Sequence, residues 1–186
     1  TRWDSPENEV VISSGPIGGT TQYPGTGKSI AAAISPLTGT VVDSNVGGYF
    51  GPLLKFAGFD AIEVQGIAAQ EVIVFIDGNA GLVQIMTAPE ESTNTYELAE
   101  EMVALFGATP EEKRGVSSVT SGVGAEGSLI GCLNFSFYDI RRQVTRLKQA
   151  GRGGIGTVLR HKKVKALVVK WVGLKGDSLH PDDLPA

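Results

Sequence analysis

Short apolar runs bounded by glycine and proline divide this chain into segments of two different periods. Glu9-Val10-Val11-Ile12-Ser13 reads as a first strand, Gly15-Pro16-Ile17-Gly18-Gly19-Thr20 as the turn after it, and residues 29–35 as a second strand of small residues. Pro52 at an early helical position and Gly58 just past the end frame a short helix over Leu53, Leu54 and Phe56. Residues 61–65 return as a strand. Residues 71–76 and 82–86 alternate around Asp77-Gly78-Asn79-Ala80-Gly81, which predicts a hairpin. Over 93–106 the period becomes helical: Tyr96, Leu98, Ala99, Met102, Val103 and Phe106 recur on one face, Asn94 or Ser92 can cap it, and Gly107 stops it. Residues 116–120 and 130–135 read as strands, 139–148 as a basic amphipathic helix or turn, 155–162 as a helix and 164–170 as a strand. A weak internal echo links the halves, since Gly47-Gly48 and Gly153-Gly154 each lead into a short helix and then a strand. Two strand-rich halves of this kind predict an α+β fold of two related, mostly antiparallel β-sheets with short helices, not a βαβ succession.

Two glycine-rich segments carry the candidate chemistry: Asp43-Ser44-Asn45-Val46-Gly47-Gly48 and Lys148-Gln149-Ala150-Gly151-Arg152-Gly153-Gly154. Glycine lets backbone N–H groups approach a ligand, and a helix start offers unpaired donors, so each segment suits a phosphate. Either alone also reads as an ordinary turn. Lys148 and Arg152 bracket the second segment and Lys28 precedes the first, which gives the pair a common cationic set.

The 186 residues suffice for one sizeable core, read as one domain over 1–176 with a tail or linker over 177–186. A net charge of −4 removes a general electrostatic case for nucleic acid. The single cysteine, Cys132, has apolar neighbours and reads as a buried structural thiol; one cysteine and two histidines leave no basis for an iron–sulfur cluster or a His/Cys metal site in this chain. No apolar run reaches membrane-spanning length and no leader pattern opens the chain, so a cytoplasmic location is expected. The abrupt start at Thr1, almost directly on a strand, is expected of a processed or excised segment, of a subunit whose preceding piece is elsewhere, or of a trimmed chain.

Two familiar motifs fail on context. Gly25-Thr26-Gly27-Lys28-Ser29 lacks the first glycine of an ATPase loop, which would fall at Gln22, and Ser35-Pro36 cuts short any following helix. Gly151-Arg152-Gly153-Gly154-Ile155-Gly156 matches a dinucleotide fingerprint, yet Arg146-Leu147-Lys148-Gln149-Ala150 is not the buried apolar strand that should precede it.

Taken in order, Ser5-Pro6-Glu7-Asn8, Ser35-Pro36-Leu37-Thr38-Gly39, Asp43 through Gly51, Leu54-Lys55-Phe56-Ala57-Gly58-Phe59-Asp60, Gly122-Val123-Gly124-Ala125-Glu126-Gly127 and Ala150 through Val158 resemble the N-terminal domain of tungsten-containing aldehyde:ferredoxin oxidoreductases, including the related tungsten subunit of aromatic acyl-CoA reductases. The resemblance covers nearly the whole chain, without the family's usual opening segment. It implies a base of two related sheets under a bis-pyranopterin tungsten or molybdenum cofactor, with a Mg²⁺ bridging its phosphates through the backbone carbonyls of Asn45 and Gln149. It also implies that Lys28, Gly47, Lys148, Gly151 and Arg152 contact the pterins or their phosphates. Family members often carry arginine where this chain has Lys28 and Lys148; lysine keeps the charge without the bidentate fork. Any [4Fe-4S] cluster, and the residues that choose the substrate, belong to further domains. Those domains, ferredoxin or another electron carrier, and a second copy are the expected partners.

The expected function is therefore cofactor binding within an oxidoreductase of aldehydes or related carbonyl and acyl substrates, with no catalytic residue in this chain. Glu126 reads as a structural hydrogen-bond acceptor. The alternative is a non-enzymatic scaffold of the same fold that binds partner subunits or an anionic ligand.

Overall fold

The computed structural model describes residues 1–20, 24–89 and 94–173. Strand β1 (Val10–Ser14) buries alternate residues and pairs antiparallel with β2 (Lys28–Ile34), which pairs antiparallel with β3 (Val41–Gly47). A short helix, α1 (Phe50–Phe56), follows, with Pro52 in its first turn and Gly58 in the left-handed region at φ 91° just after its end. The chain then returns as β4 (Ala61–Val64), antiparallel to β1, and closes a sheet of order β3-β2-β1-β4.

The hairpin of β5 (Val72–Asp77) and β6 (Leu82–Thr87) forms as its alternation predicts, and Asp77 Oδ1 accepts the N–H groups of Asn79 and Ala80 at 3.0 and 3.1 Å in the turn. Helix α2 (Thr95–Phe106) is capped by Asn94, whose side chain accepts from Tyr96 N and Glu97 N. The alternative cap Ser92 and the start at residue 93 lie outside the described residues, as do Gln22 and the tail from 177. A helix the periodicity does not reveal, α3 (Pro110–Arg114), has its own start signal in Thr109-Pro110, with Thr109 Oγ1 accepting from Glu112 N at 3.2 Å.

The second half repeats the first. Strand β7 (Val116–Thr120) pairs with β8 (Leu133–Asp139), β8 with β9 (Val144–Ala150), helix α4 (Ile155–His161) follows, and β10 (Val164–Lys170) returns antiparallel beside β7. With β5 parallel to β10, the sheet order is β6-β5-β10-β7-β8-β9. Read from β3 and from β9, the two sheets have the same order: three meander strands, then the strand that follows the helix. Register makes the match residue by residue, because Val46 opposes Ser29 as Ala150 opposes Leu133, both on the buried face. The second residue of each helix is a glycine, and each lies against an equivalent serine. A Cβ on Gly51 would sit 3.1 Å from Ser14 Oγ, and Ser121 Oγ donates to Gly156 O at 2.8 Å.

Both helices lie in one core between the sheets. Val10, Ile12, Ala31, Val46, Phe50 and Leu54 of the first half cluster with Leu133, Phe135, Ala150, Ile155, Val158, Leu159 and Leu167 of the second. Phe50 meets Phe135 edge to face at 5.6 Å, a cross-half contact worth about 0.5–1.5 kcal/mol beyond its buried area. The opposite face of the larger sheet buries Ile73, Phe75, Val116, Tyr138 and Val168 under Leu98, Met102 and Val103 of α2.

Three expectations change. Residues 139–148 are not a basic helix: β9 alternates with a period of two, and its full ladder with β8 outweighs any local helical preference. The preceding strand is Leu133–Asp139, not 130–135, because residues 122–132 form a loop with one turn of 3-10 helix at Val123–Ala125. Asp43 to Gly47 is the end of a strand rather than a loop, so only Gly48 and Tyr49 connect it to α1.

Buried cations tie the halves to their connections. Lys162, 1% exposed at the end of α4, donates through Nζ to the carbonyls of Pro6 and Gly66 at 3.2 and 3.0 Å. Arg160 bonds Glu126 at 2.8 and 2.5 Å and also pairs with Glu71, so Glu126 is the structural acceptor its position suggests. Among the described residues no helix is long and apolar enough to cross a membrane.

Gly156→Ala should destabilise by about 1–3 kcal/mol, because its Cβ would meet the Cys132 carbonyl at 2.2 Å; Gly124→Ala, with open space around it, should shift urea unfolding by less than about 0.5 kcal/mol. Burial lowers the Lys162 pKa below the ordinary 10.5, while Glu7 and Glu9 pull it back. Between that lowered value and 10.5 the unfolded chain holds a proton the folded chain has released, so stability rises with pH across this window. Lys162→Met should flatten the rise. It should also leave the Pro6 and Gly66 carbonyls without their donor, at about 1–3 kcal/mol, in urea titrations from neutral pH upward.

Candidate anion-binding site

β3 and β9 are both edge strands, one in each sheet, and their C-terminal ends come together. An edge strand leaves a row of backbone N–H and C=O groups without a ladder partner, which makes the ends of two such strands a place where a ligand can engage main chain. Lys28 opens β2 directly opposite Gly47 in the ladder. Lys148, on the same face of β9 as Ala150, reaches across so that its Nζ lies 3.7 Å from where a Gly47 Cβ would be. Gly47, Lys28 and Lys148 are thus brought together from three strands. A Cβ at 47 would lie in ordinary van der Waals contact with the ammonium.

Arg152 enters from the second segment. Its backbone N–H donates to Ser44 Oγ at 3.1 Å, and the next residue, Gly153, sits against Val42 so tightly that a Cβ would fall 2.3 Å from Val42 Cγ2. Gly153 and the following Gly154 both adopt left-handed backbone, at φ 74° and 67°. These two glycines let the chain turn under β3 and into α4. The Arg152 side chain itself is exposed. Among the described residues none of Lys28, Lys148 and Arg152 forms an ion pair, whereas Arg160 and Lys165 are paired with Glu71. Three unneutralised cations around one strand end favour an anion there.

The cofactor-facing roles implied for Asn45 and Gln149 rest on backbone, and their side chains do not converge. Asn45 is exposed on the open face of the four-stranded sheet, with Asp43 beside it, while Gln149 alternates to the opposite face of β9 from Lys148. Gly151 continues β9 toward Arg152, and its Cβ position lies 3.6 Å from Cys132 Sγ. Cys132 is half-buried, not buried: it lines a pocket of about 380 Å³ with Ser121, Asn134 and the 3-10 turn, because residues 128–132 leave the sheet before β8 begins.

The helix-start donors expected for phosphate are largely engaged. Gly156 N–H bonds Gly131 O, Thr157 N–H bonds Gly154 O, Gly48 N–H bonds Gly27 O, and Arg152 N–H bonds Ser44. Anion binding at this face therefore falls mainly on the three side-chain cations. The ATPase reading fails, since Lys28-Ser29 begins a strand and not a helix. A strand does precede Gly151, contrary to expectation, but it is an edge strand antiparallel to β8, and β10 lies away from it beside β7, so no dinucleotide-binding unit forms.

Sequence reasoning missed Ser44, Tyr49 and Phe137. Tyr49 packs on Phe137 with ring centroids 5.5 Å apart, and Lys148 Nζ lies 5.9 Å from the Phe137 ring, so Phe137, braced by Tyr49, meets the lysine at the site. Phe137 was hidden by the misplaced strand boundary; nothing in the spacing of Ser44 distinguishes it from a loop serine.

Residues 1–171 match the family described as aldehyde ferredoxin oxidoreductase, N-terminal domain. The tungsten-containing aldehyde ferredoxin oxidoreductase of Pyrococcus horikoshii is 35% identical over 167 residues, and that of Thermococcus kodakarensis 33% over 166 residues. Each alignment takes in 89% of this chain and 25% of the relative, so the chain spans about a quarter of the length of these relatives. A solved structure, the active site complex BamBC of benzoyl coenzyme A reductase with 1,5-dienoyl-CoA, superposes with a TM-score of 0.75 at 26% identity, covering 91% of this chain and 24% of that one. Fold, internal repeat and matched length agree, and the chain belongs to the aldehyde ferredoxin oxidoreductase N-terminal domain family.

Proposed function

We propose that this domain is the base that holds a bis-pyranopterin tungsten or molybdenum cofactor in an oxidoreductase acting on aldehydes or related carbonyl and acyl substrates. The observation that carries the reading is the meeting of three cations that form no ion pair among the described residues, Lys28, Lys148 and Arg152, at the ends of two edge strands from equivalent halves. The tungsten in the names of the relatives supports the metal, and the benzoyl coenzyme A reductase likeness supports a carbonyl or acyl substrate range.

The residues fit a ligand with two phosphates. Lys28 and Lys148 flank Gly47, where the missing side chain leaves room, and Arg152 stands at the matching end of the second half. Asn45 and Gln149 sit near the ends of β3 and β9, and in this reading their backbone carbonyls would hold a Mg²⁺. The bound cofactor would supply two-electron metal chemistry. This chain's part is to fix the anionic ends and neutralise their charge: lysine does so as a mobile point charge, arginine with a planar fork. Reduction partners, the ferredoxin or a similar carrier among them, would act through the remaining domains.

Charge-assisted hydrogen bonds contribute about 1.5–3 kcal/mol each. In the intact cofactor-loaded protein, Arg152→Ala should lower pterin and metal retained through gel filtration by about one to two decades. Arg142 is bound to Asp139 at 3.0 Å in the β8–β9 turn, and Arg142→Ala should change retention little. Full retention in both folded variants, or greater loss from Arg142→Ala, would remove the second segment from the site.

A further inference from the structure

The two halves touch across the site through one pair of equivalent positions. Because Val46 and Ala150 hold the same place in the repeat, Ser44 of β3 corresponds to Lys148 of β9. Lys148 reaches into the first half beside Gly47. Ser44 reaches the other way, its hydroxyl accepting the Arg152 N–H at 3.1 Å from a position only 4% exposed. The contacts are reciprocal, but one ends in an exposed cation and the other in a buried anchor.

That anchor has little competition. Among the described residues it is the one hydrogen bond joining β3 to residues 151–154, and beside it the loop rests on Val42 at Gly153. A loop held this way keeps its side chain at a set place relative to β3, and a preformed site does not have to be ordered when the ligand arrives.

We infer that Ser44 is a positioning residue for the second anion segment: by fixing the Arg152 backbone to β3 it sets the separation between Arg152 and the Lys28–Lys148 pair, so that both ends of a two-phosphate ligand are met together. The inference rests on the reading of the two segments as one site. Ser44 does not touch the ligand, since its hydroxyl lies beneath the loop.

The test compares Ser44→Ala, Ser117→Ala and Arg152→Ala in the intact cofactor-loaded protein. Ser117 is the control, a fully buried serine in β7 whose Oγ donates to Ser136 O at 2.5 Å and which forms no hydrogen bond to either segment among the described residues. Hydrogen exchange at the Arg152 amide and pterin retained through gel filtration are both read. Ser44→Ala should speed Arg152 exchange several-fold and lower retained pterin by about three- to tenfold, the effect of one hydrogen bond. Ser117→Ala should do neither. Unchanged Arg152 exchange in Ser44→Ala overturns the inference, as does an equal pterin loss in Ser117→Ala. Pterin loss in Arg152→Ala with none in Ser44→Ala overturns the positioning role alone. Full retention in both overturns the composite site beneath it.

Discussion

The structure depends on a single apolar core that both halves share. Phe50 and Leu54 of α1 and Val158 and Leu159 of α4 are buried in one cluster with Ile12, Val119 and Leu167 from opposite sheets. Neither sheet can bury its inner face without the other's helix. Gly51 and Gly156 permit this, because a side chain at either place would press into the strand ends beneath it. The ends of β3 and β9 are consequently fixed by core packing and do not need a ligand to bring them together.

Charge is divided in the same way. Lys162, Lys165 and Arg160 lie under the surface and bond to carbonyls or carboxylates, where they join the amino-terminal segment, the 122–128 loop and Glu71 before β5 to the second half. A buried cation without such partners would carry a large desolvation cost. Lys28 and Arg152 are exposed and form no ion pair among the described residues, and Lys148 lies over the Phe137 ring. Their arrangement adds little to stability, since exposed charges in water contribute weakly, so their clustering is better explained by what they meet than by what they hold up.

Much of this was legible in the sequence, and the reasons differ from element to element. β1, α1, the β5–β6 hairpin, α2 and β10 carry strong local signals: Pro52, Gly58, the Asp77–Gly81 turn, Asn94, Gly107 and short apolar runs. The internal echo was visible because both helices start from a glycine-rich segment and carry a glycine at their second position, where a Cβ would press on Ser29 and Ser14 in one half and on Cys132 in the other. β9 was not legible as a strand, since Arg146 and Lys148 with Leu147 also suit an amphipathic helix and only the ladder to β8 decides between them. At the site, the cations and glycines could be named from composition and motif order. What could not be read was Ser44 beneath the loop or the Tyr49–Phe137 support, because both depend on contacts between residues about ninety or more positions apart.

The repeat also explains why the two ends of the site are not alike. Equivalent backbone brings equivalent positions to the same place, but Lys28 in the first half is matched by Cys132 in the second, and Lys148 is matched by Ser44. The second half then obtains its cation from Arg152, two residues past the strand end, and counted from the equivalent Val46 and Ala150 its path to the helix is one residue longer than that of the first half. That extra residue accounts for the paired left-handed glycines, which the shorter connection, with Gly48 alone, does not need. A two-fold scaffold thus presents three cations in an asymmetric pattern, two lysines at one end and an arginine fork at the other. Such a surface would favour one of the two orientations of a nearly symmetric ligand, because turning the ligand over exchanges a mobile point charge for a planar donor set at each phosphate.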